Sequence, residues 1–126
     1  SGGIEMMKAA KQNAGKSKIL AVTILTSQKN NKNTKKNVLN LTRDAINAGL
    51  QGIVCSGHEL QAIKSIQGMK SMIKVVPGIR PTSYTKKDDQ KRTITLDEAI
   101  QLGADYLVIG RPITKAKSPL KALNEL

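Results

Sequence analysis

The sequence predicts an α/β fold: one parallel sheet of four strands with helices between and around them. Three observations predict it. Four short apolar runs, at residues 19–25, 52–55, 72–76 and 106–109, alternate with stretches whose apolar residues recur at helical spacing. The runs start about 33, 21 and 33 residues apart, which leaves room for one crossover helix each time. Two consecutive runs also end alike, in Val75-Val76-Pro77-Gly78-Ile79-Arg80-Pro81 and Leu107-Val108-Ile109-Gly110-Arg111-Pro112: an apolar strand, then Gly, Arg and Pro.

Each element has its own signal. Residues 1–13 carry Ile4, Met6, Met7 and Ala10 at helical spacing, with Met6 and Met7 expected in the core and Gly15 as the stop. The run 19–25 reads as a strand buried on both faces, the habit of parallel sheets, and leads through Thr26 and Ser27 into a Lys- and Asn-rich loop. Val38, Leu41, Ala45 and Ala48 mark one face of a helix that ends at Gly49, and Gly52-Ile53-Val54-Cys55 is the second strand. Ser56-Gly57-His58-Glu59 is a capping box, in which hydroxyl and carboxylate satisfy reciprocal backbone donors. It opens a helix with Leu60, Ile63 and Ile66 on one face, closed by Gly68.

After the third strand, at residues 72–76, comes a polar loop from Gly78 to about Thr93. It is too long for a simple connector, and such loops are usually lids or binding loops. A second capping box, Thr95-Leu96-Asp97-Glu98, opens a short helix that stops at Gly103. The fourth strand ends at Gly110-Arg111-Pro112. Ser118-Pro119 then caps a last helix, with Leu120 and Leu123 expected to face inward. The order is α-β-α-β-α-β-α-β-α in one domain, residues 1–126. Ala48-Gly49-Leu50-Gln51-Gly52-Ile53-Val54 is echoed by Leu102-Gly103-Ala104-Asp105-Tyr106-Leu107-Val108. Four parallel strands alone leave two raw edges and one face without helices, so the sheet is expected to be completed by association.

Composition narrows the function. The chain has no Trp or Phe and two Tyr, so its core is aliphatic. A single Cys, Cys55, precludes an internal disulfide and fits a reducing cytoplasm. No apolar run approaches the ~18 residues of a membrane helix, and no signal pattern opens the chain. The net charge of +12 raises a basic nucleic-acid-binding module as one reading. The densest basic run, Lys29-Asn30-Asn31-Lys32-Asn33-Thr34-Lys35-Lys36, has no aromatic residue to stack on bases, so a solvated loop is favoured. Basic charge still attracts small anions.

The two Gly-Arg strand ends point to an anion site. Glycine lets the backbone come close to a ligand, and arginine offers a planar fork of donors that suits phosphate. In (β/α)8 barrels the loops after the seventh and eighth strands often hold a phosphate.

The ordered motifs support a family. They are Ser1-Gly2-Gly3 with Met6-Met7, Ala21-Val22-Thr23-Ile24-Leu25-Thr26-Ser27, and Gly52-Ile53-Val54-Cys55-Ser56. They continue with Pro77-Gly78-Ile79-Arg80-Pro81, Asp89-Gln90-Lys91-Arg92, and residues 103–114. Over essentially all 126 residues the chain resembles the C-terminal half of orotidine 5′-phosphate decarboxylase. The resemblance implies half of a (β/α)8 TIM barrel, from the helix after the fourth strand to the helix after the eighth. It implies a lyase of pyrimidine biosynthesis that converts orotidine monophosphate to uridine monophosphate as a dimer, without cofactor or metal. Carried over by motif, Thr26 contacts the pyrimidine, while Arg80, Gln90, Gly110 and Arg111 bind the nucleotide, mainly its phosphate.

The departure from the family matters as much. The family's Asp-x-Lys-x-x-Asp group lies on its third strand, and no such motif occurs in these 126 residues. The chemistry needs a carboxylate to crowd the substrate carboxyl group and an ammonium to protonate the carbanion. The first expectation is therefore a half-barrel that keeps the phosphate grip but is inactive alone, paired with a second copy. The alternative is the C-terminal piece of a split or cleaved active enzyme, paired with an N-terminal half-barrel.

Other residues have simpler readings. Cys55 is expected to be a buried packing residue, and His58 a cap or surface group rather than a catalyst. Asp88 and Asp89 are read as loop charges among lysines. Thr26 is singled out only by the resemblance.

Overall fold

The computed structural model describes residues 2–25, 31–81, 84 and 92–126. Four strands, β1 (Leu20–Val22), β2 (Gly52–Val54), β3 (Ile73–Pro77) and β4 (Tyr106–Val108), form one sheet in the order β1-β2-β3-β4. All three pairings are parallel. The strands start 32, 21 and 33 residues apart, from their first residues 20, 52, 73 and 106.

Strand order equal to chain order has a physical consequence. Right-handed crossovers that always step the same way put every connecting helix on one face of the sheet. The helices are α1 (Gly3–Gln12), α2 (Thr34–Asn47), α3 (Gly57–Ile63), α4 (Leu96–Gln101), α5 (Arg111–Thr114) and α6 (Pro119–Asn124). A single 3₁₀ turn, Met69–Ser71, precedes β3. The glycine stops are seen at Gly49 (φ +72°), Gly68 (φ +88°) and Gly103 (φ +91°), where the left-handed backbone selects glycine.

Side chains alternate across a strand, so register assigns the two faces. Ala21, Ile53, Cys55 and Val76 point toward the helices and are buried, with Val38, Ala45, Leu60, Ile63 and Ala99 packed among them. Val22, Val54, Val75 and Tyr106 stand in one row across the other face. That face is bare at its edges: Val22 is 57% exposed, Tyr106 61% and Val108 48%.

The structure departs from the expectations at five points. The run 19–25 is not a strand buried on both faces, because only the helix face is covered. Its ladder is also shorter, spanning Leu20–Val22 plus the bond from Thr23 N–H to Val54 O (3.0 Å). β1 is an edge strand with one partner, and it loses pairing when β2 turns away into α3. Leu120 and Leu123 are 71% and 52% exposed rather than inward, since α6 follows an edge strand and packs chiefly on α5. Met6 is 51% exposed, whereas Met7 is buried. The helix α5 was not expected at all; Pro112 at its second position suits the first helical turn.

Candidate functional site

β3 and β4 run side by side, with Pro77 paired to Val108. Arg80 and Arg111 each lie three residues beyond that pair, so parallel register brings the two Gly-Arg ends out at the same edge of the sheet. After β3 the chain turns at Gly78 (φ +81°), a conformation that disfavours any residue with a Cβ. Ile79 then makes a parallel bridge to Ile94, with Arg80 N–H donating to Ile94 O (3.0 Å) and Ile94 N–H to Gly78 O (3.3 Å). The long loop therefore begins and ends on the same short backbone pairing.

Arg80 is half-buried. Its Nη1 donates to Ile79 O (2.8 Å), and its guanidinium carbon lies 5.4 Å from the centre of the Tyr84 ring. The cation–π contact helps to hold the planar group in place. Arg111 opens α5, with Gly110 before it; Gly110 O accepts from the N–H groups of Ile113 (2.9 Å) and Thr114 (3.0 Å). A Cβ added at Gly110 would meet no atom within 4 Å, so packing inside this chain does not select glycine there. Between the two arms lies a crevice of about 110 Å³, lined by Pro81, Tyr84, Pro112, Ala122, Glu125 and Leu126. Among the described residues larger crevices also open elsewhere; one of about 450 Å³ runs between the start of α2 and α3 beside His58.

Of the five residues expected in the site, Arg80, Gly110 and Arg111 are thus gathered at one sheet edge. Thr26 and Gln90 lie outside the described residues, as do Asp88, Asp89 and most of the expected lid.

One pair was missed by sequence reasoning. Arg92 and Glu59 are 3% and 6% exposed, and the Arg92 Nη1 donates to the Glu59 carboxylate. Arg92 Nη2 also donates to Ile24 O (2.7 Å) and Leu25 O (2.9 Å), at the exit of β1. Glu59 accepts from Ser56 N–H (3.0 Å), the expected capping bond, while the buried Ser56 hydroxyl has no protein partner. Burial pushes the Glu59 carboxyl above its usual value, against the opposing pull of Arg92. The capping-box reading had already explained Glu59, and a partner 33 positions away leaves no periodic signal.

The remaining titratable groups behave as local chemistry dictates. Desolvation, and secondarily the Glu59 carboxylate, push the Cys55 thiol up to about 12, which makes it a packing residue rather than a nucleophile. His58 is exposed on α3. Asp105 sits at the entrance of β4, accepting from Lys74 N–H (2.8 Å) and pairing with its ammonium (2.7 Å). Among the described residues there is no cluster of three or more metal-ligating side chains, and no helix is long and apolar enough to cross a membrane.

The chain matches the family described as Orotidine 5'-phosphate decarboxylase / HUMPS over residues 1–126. It is 44% identical over 136 aligned positions to "Orotidine 5'-phosphate decarboxylase" of Streptococcus agalactiae serotype III, covering all of this chain and 58% of that protein. It is 42% identical to the protein of the same name from Lactococcus lactis subsp. cremoris, covering 60% of it. Among solved structures, that of orotidine 5'-phosphate decarboxylase from Lactobacillus acidophilus superposes with a TM-score of 0.74 at 32% identity, covering 98% of this chain and 57% of that one. The chain therefore spans a little over half the length of the relatives it matches.

Proposed function

The chain belongs to the orotidine 5'-phosphate decarboxylase family, and from that premise we propose that it forms the phosphate-gripping half of a decarboxylase barrel acting on orotidine monophosphate. One observation carries the reading. The paired strands β3 and β4 deliver Arg80 and Arg111 from equivalent positions at one sheet edge, where two guanidinium groups can converge on a phosphate. The open space over Gly110 lets the nucleotide approach the backbone there. Thr26, from the loop after β1, contacts the pyrimidine, and Gln90 reaches the nucleotide from the loop after β3.

Binding alone does not decarboxylate. The reaction needs a carboxylate that crowds the departing carboxyl group and an ammonium that protonates the carbanion left at the same carbon. The chain's 126 residues hold no Asp-x-Lys-x-x-Asp motif, so this half gives no turnover by itself. The catalytic group comes from the other half of the barrel, which also covers the bare face of Val22, Tyr106 and Val108. Closure to eight strands removes both raw edges at β1 and β4. A cytoplasmic location fits the single reduced thiol. No cofactor or metal enters this reading.

Two measurements test it. Titration calorimetry of the chain with uridine monophosphate should give saturable heat; no heat and no thermal shift at millimolar nucleotide would remove the phosphate site. Adding the remaining part of the Streptococcus agalactiae relative, expressed separately, should restore loss of orotidine monophosphate absorbance that neither piece shows alone. A second copy of this chain is the other way to close the sheet. It would show as a dimer that binds uridine monophosphate without turnover.

A further inference from the structure

The buried Arg92–Glu59 pair has no counterpart among the expected binding residues, and its bonds join the start of α3 to the exit of β1. Arg92 donates to the Glu59 carboxylate in the first turn of α3, and to Ile24 O and Leu25 O at the exit of β1. Two residues further on, Ile94 lies against the start of α3: a Cβ added at Gly57 would fall 2.6 Å from Ile94 Cγ2. The same Ile94 brackets Arg80 through its backbone, accepting from Arg80 N–H and donating to Gly78 O. Arg92 thus ties β1 to α3, and Ile94, two residues along the same stretch, ties that stretch to the Arg80 turn.

Energetics explain why this tie is more than packing. Taking a guanidinium and a carboxylate out of water costs several kcal/mol each, and apolar residues of similar volume often stabilise a fold as well or better. What apolar contact cannot supply is direction. A planar fork bonded to one carboxylate and two consecutive carbonyls fixes distance and angle together. The Arg92 Nε is buried without a partner, so the side chain is placed for its terminal nitrogens rather than for complete satisfaction.

We propose that Arg92, held by Glu59, is a positioning residue for anion binding: it sets the Ile79–Ile94 pairing that aims Arg80 and fixes the β1 exit relative to it. The part concerning nucleotide affinity rests on the phosphate-binding reading above.

The test compares Arg92→Lys, Arg92→Ala and Glu59→Gln with the unaltered 126-residue chain. Two readouts are taken: calorimetric affinity for uridine monophosphate, and amide exchange at Arg80 and Ile94 against Ile53 and Val76 in the core. Ile53→Val, a packing change in the apolar core that touches no bond of the pair, serves as the stability control. Arg92→Ala should weaken uridine monophosphate by at least about tenfold and speed exchange at Arg80 and Ile94 selectively, whereas the control should do neither. Arg92→Lys, which keeps the charge but not the fork, should fall between. If Arg92→Ala does not fold, Arg92→Lys and Glu59→Gln decide by the same two readouts. If the unaltered chain binds no uridine monophosphate, the functional reading fails, and selective exchange at Arg80 still decides the positioning role. Affinity within twofold of the unaltered chain, or exchange that rises equally at all four amides, overturns the proposal.

Discussion

Replacing Tyr106 with Glu and Val108 with Asp separates folding of this chain from completion of its barrel. Both side chains stand on the bare sheet face, 61% and 48% exposed, so in the isolated chain the new carboxylates remain in water. Surface changes of that kind usually move stability by less than about 0.5 kcal/mol. In a closed barrel the same positions are interior. Fully burying an aliphatic or aromatic side chain is worth roughly 1.5–3 kcal/mol, and about half of that remains to be gained at each of Val22, Tyr106 and Val108. Their exposures, 57%, 61% and 48%, justify that fraction. The three together hold about 3 kcal/mol of unrealised burial, more than a hundredfold in association constant. Two carboxylates in the same interior add a desolvation cost of several kcal/mol. The assay is sedimentation velocity over a broad micromolar range, with and without the remaining part of the Streptococcus agalactiae relative. The unaltered chain should associate in at least one of these conditions, and the double variant in neither, at unchanged melting temperature. A double variant that associates as well as the parent would show that this face is not the closing surface. So would a parent chain that stays monomeric throughout.

Other outcomes follow from single residues. Arg80→Ala and Arg111→Ala should each weaken uridine monophosphate by roughly 1.5–3 kcal/mol, the usual worth of a charge-assisted hydrogen bond, with little loss of melting temperature. Gly52→Ala should destabilise by about 2–3 kcal/mol in urea unfolding, because its Cβ would lie 2.4 Å from the Ile73 carbonyl oxygen and only the β2–β3 ladder could yield. Asp105 feels burial pushing its carboxyl up, but the bonds from the Lys74 ammonium and N–H outweigh this and hold it below its usual value. Glu98 is lowered by the Thr95 N–H and hydroxyl. A lowered carboxyl contributes stability that is present above its ordinary value near pH 4 and is lost as pH falls through the folded value. Acid unfolding of Asp105→Asn should therefore depend less steeply on pH below about 4 than the parent does. Cys55, pushed up to about 12 by burial, should resist alkylation in the folded chain and react readily in denaturant.

Much of this architecture was legible in sequence because the signals are local. Glycine stops and the Thr95–Glu98 capping box depend on neighbours within a few residues, and each is found where the pattern placed it, while each apolar run locates its strand although the first ladder is shorter than its run. The twin Gly-Arg ends were legible for the same reason. Pairing of Pro77 with Val108 then showed that the two motifs leave the sheet at one edge, a fact about register that neither motif states. The inward reading of Leu120 and Leu123 failed because helical periodicity identifies an apolar face without saying what covers it.

The sequence alone thus determined the alternation of four strands with crossover helices, the aliphatic core and the two strand ends that carry Arg80 and Arg111, since each is encoded in contiguous residues. Only the tertiary structure decided which face of the sheet is covered and which stands bare, because alternation along a strand is the same for both faces until helices pack on one of them. It alone brought Arg92 onto Glu59 and the carbonyls of Ile24 and Leu25. Buried charges meet partners through chain crossings rather than spacing, and a contact across 33 or 68 positions has no local pattern to reveal it.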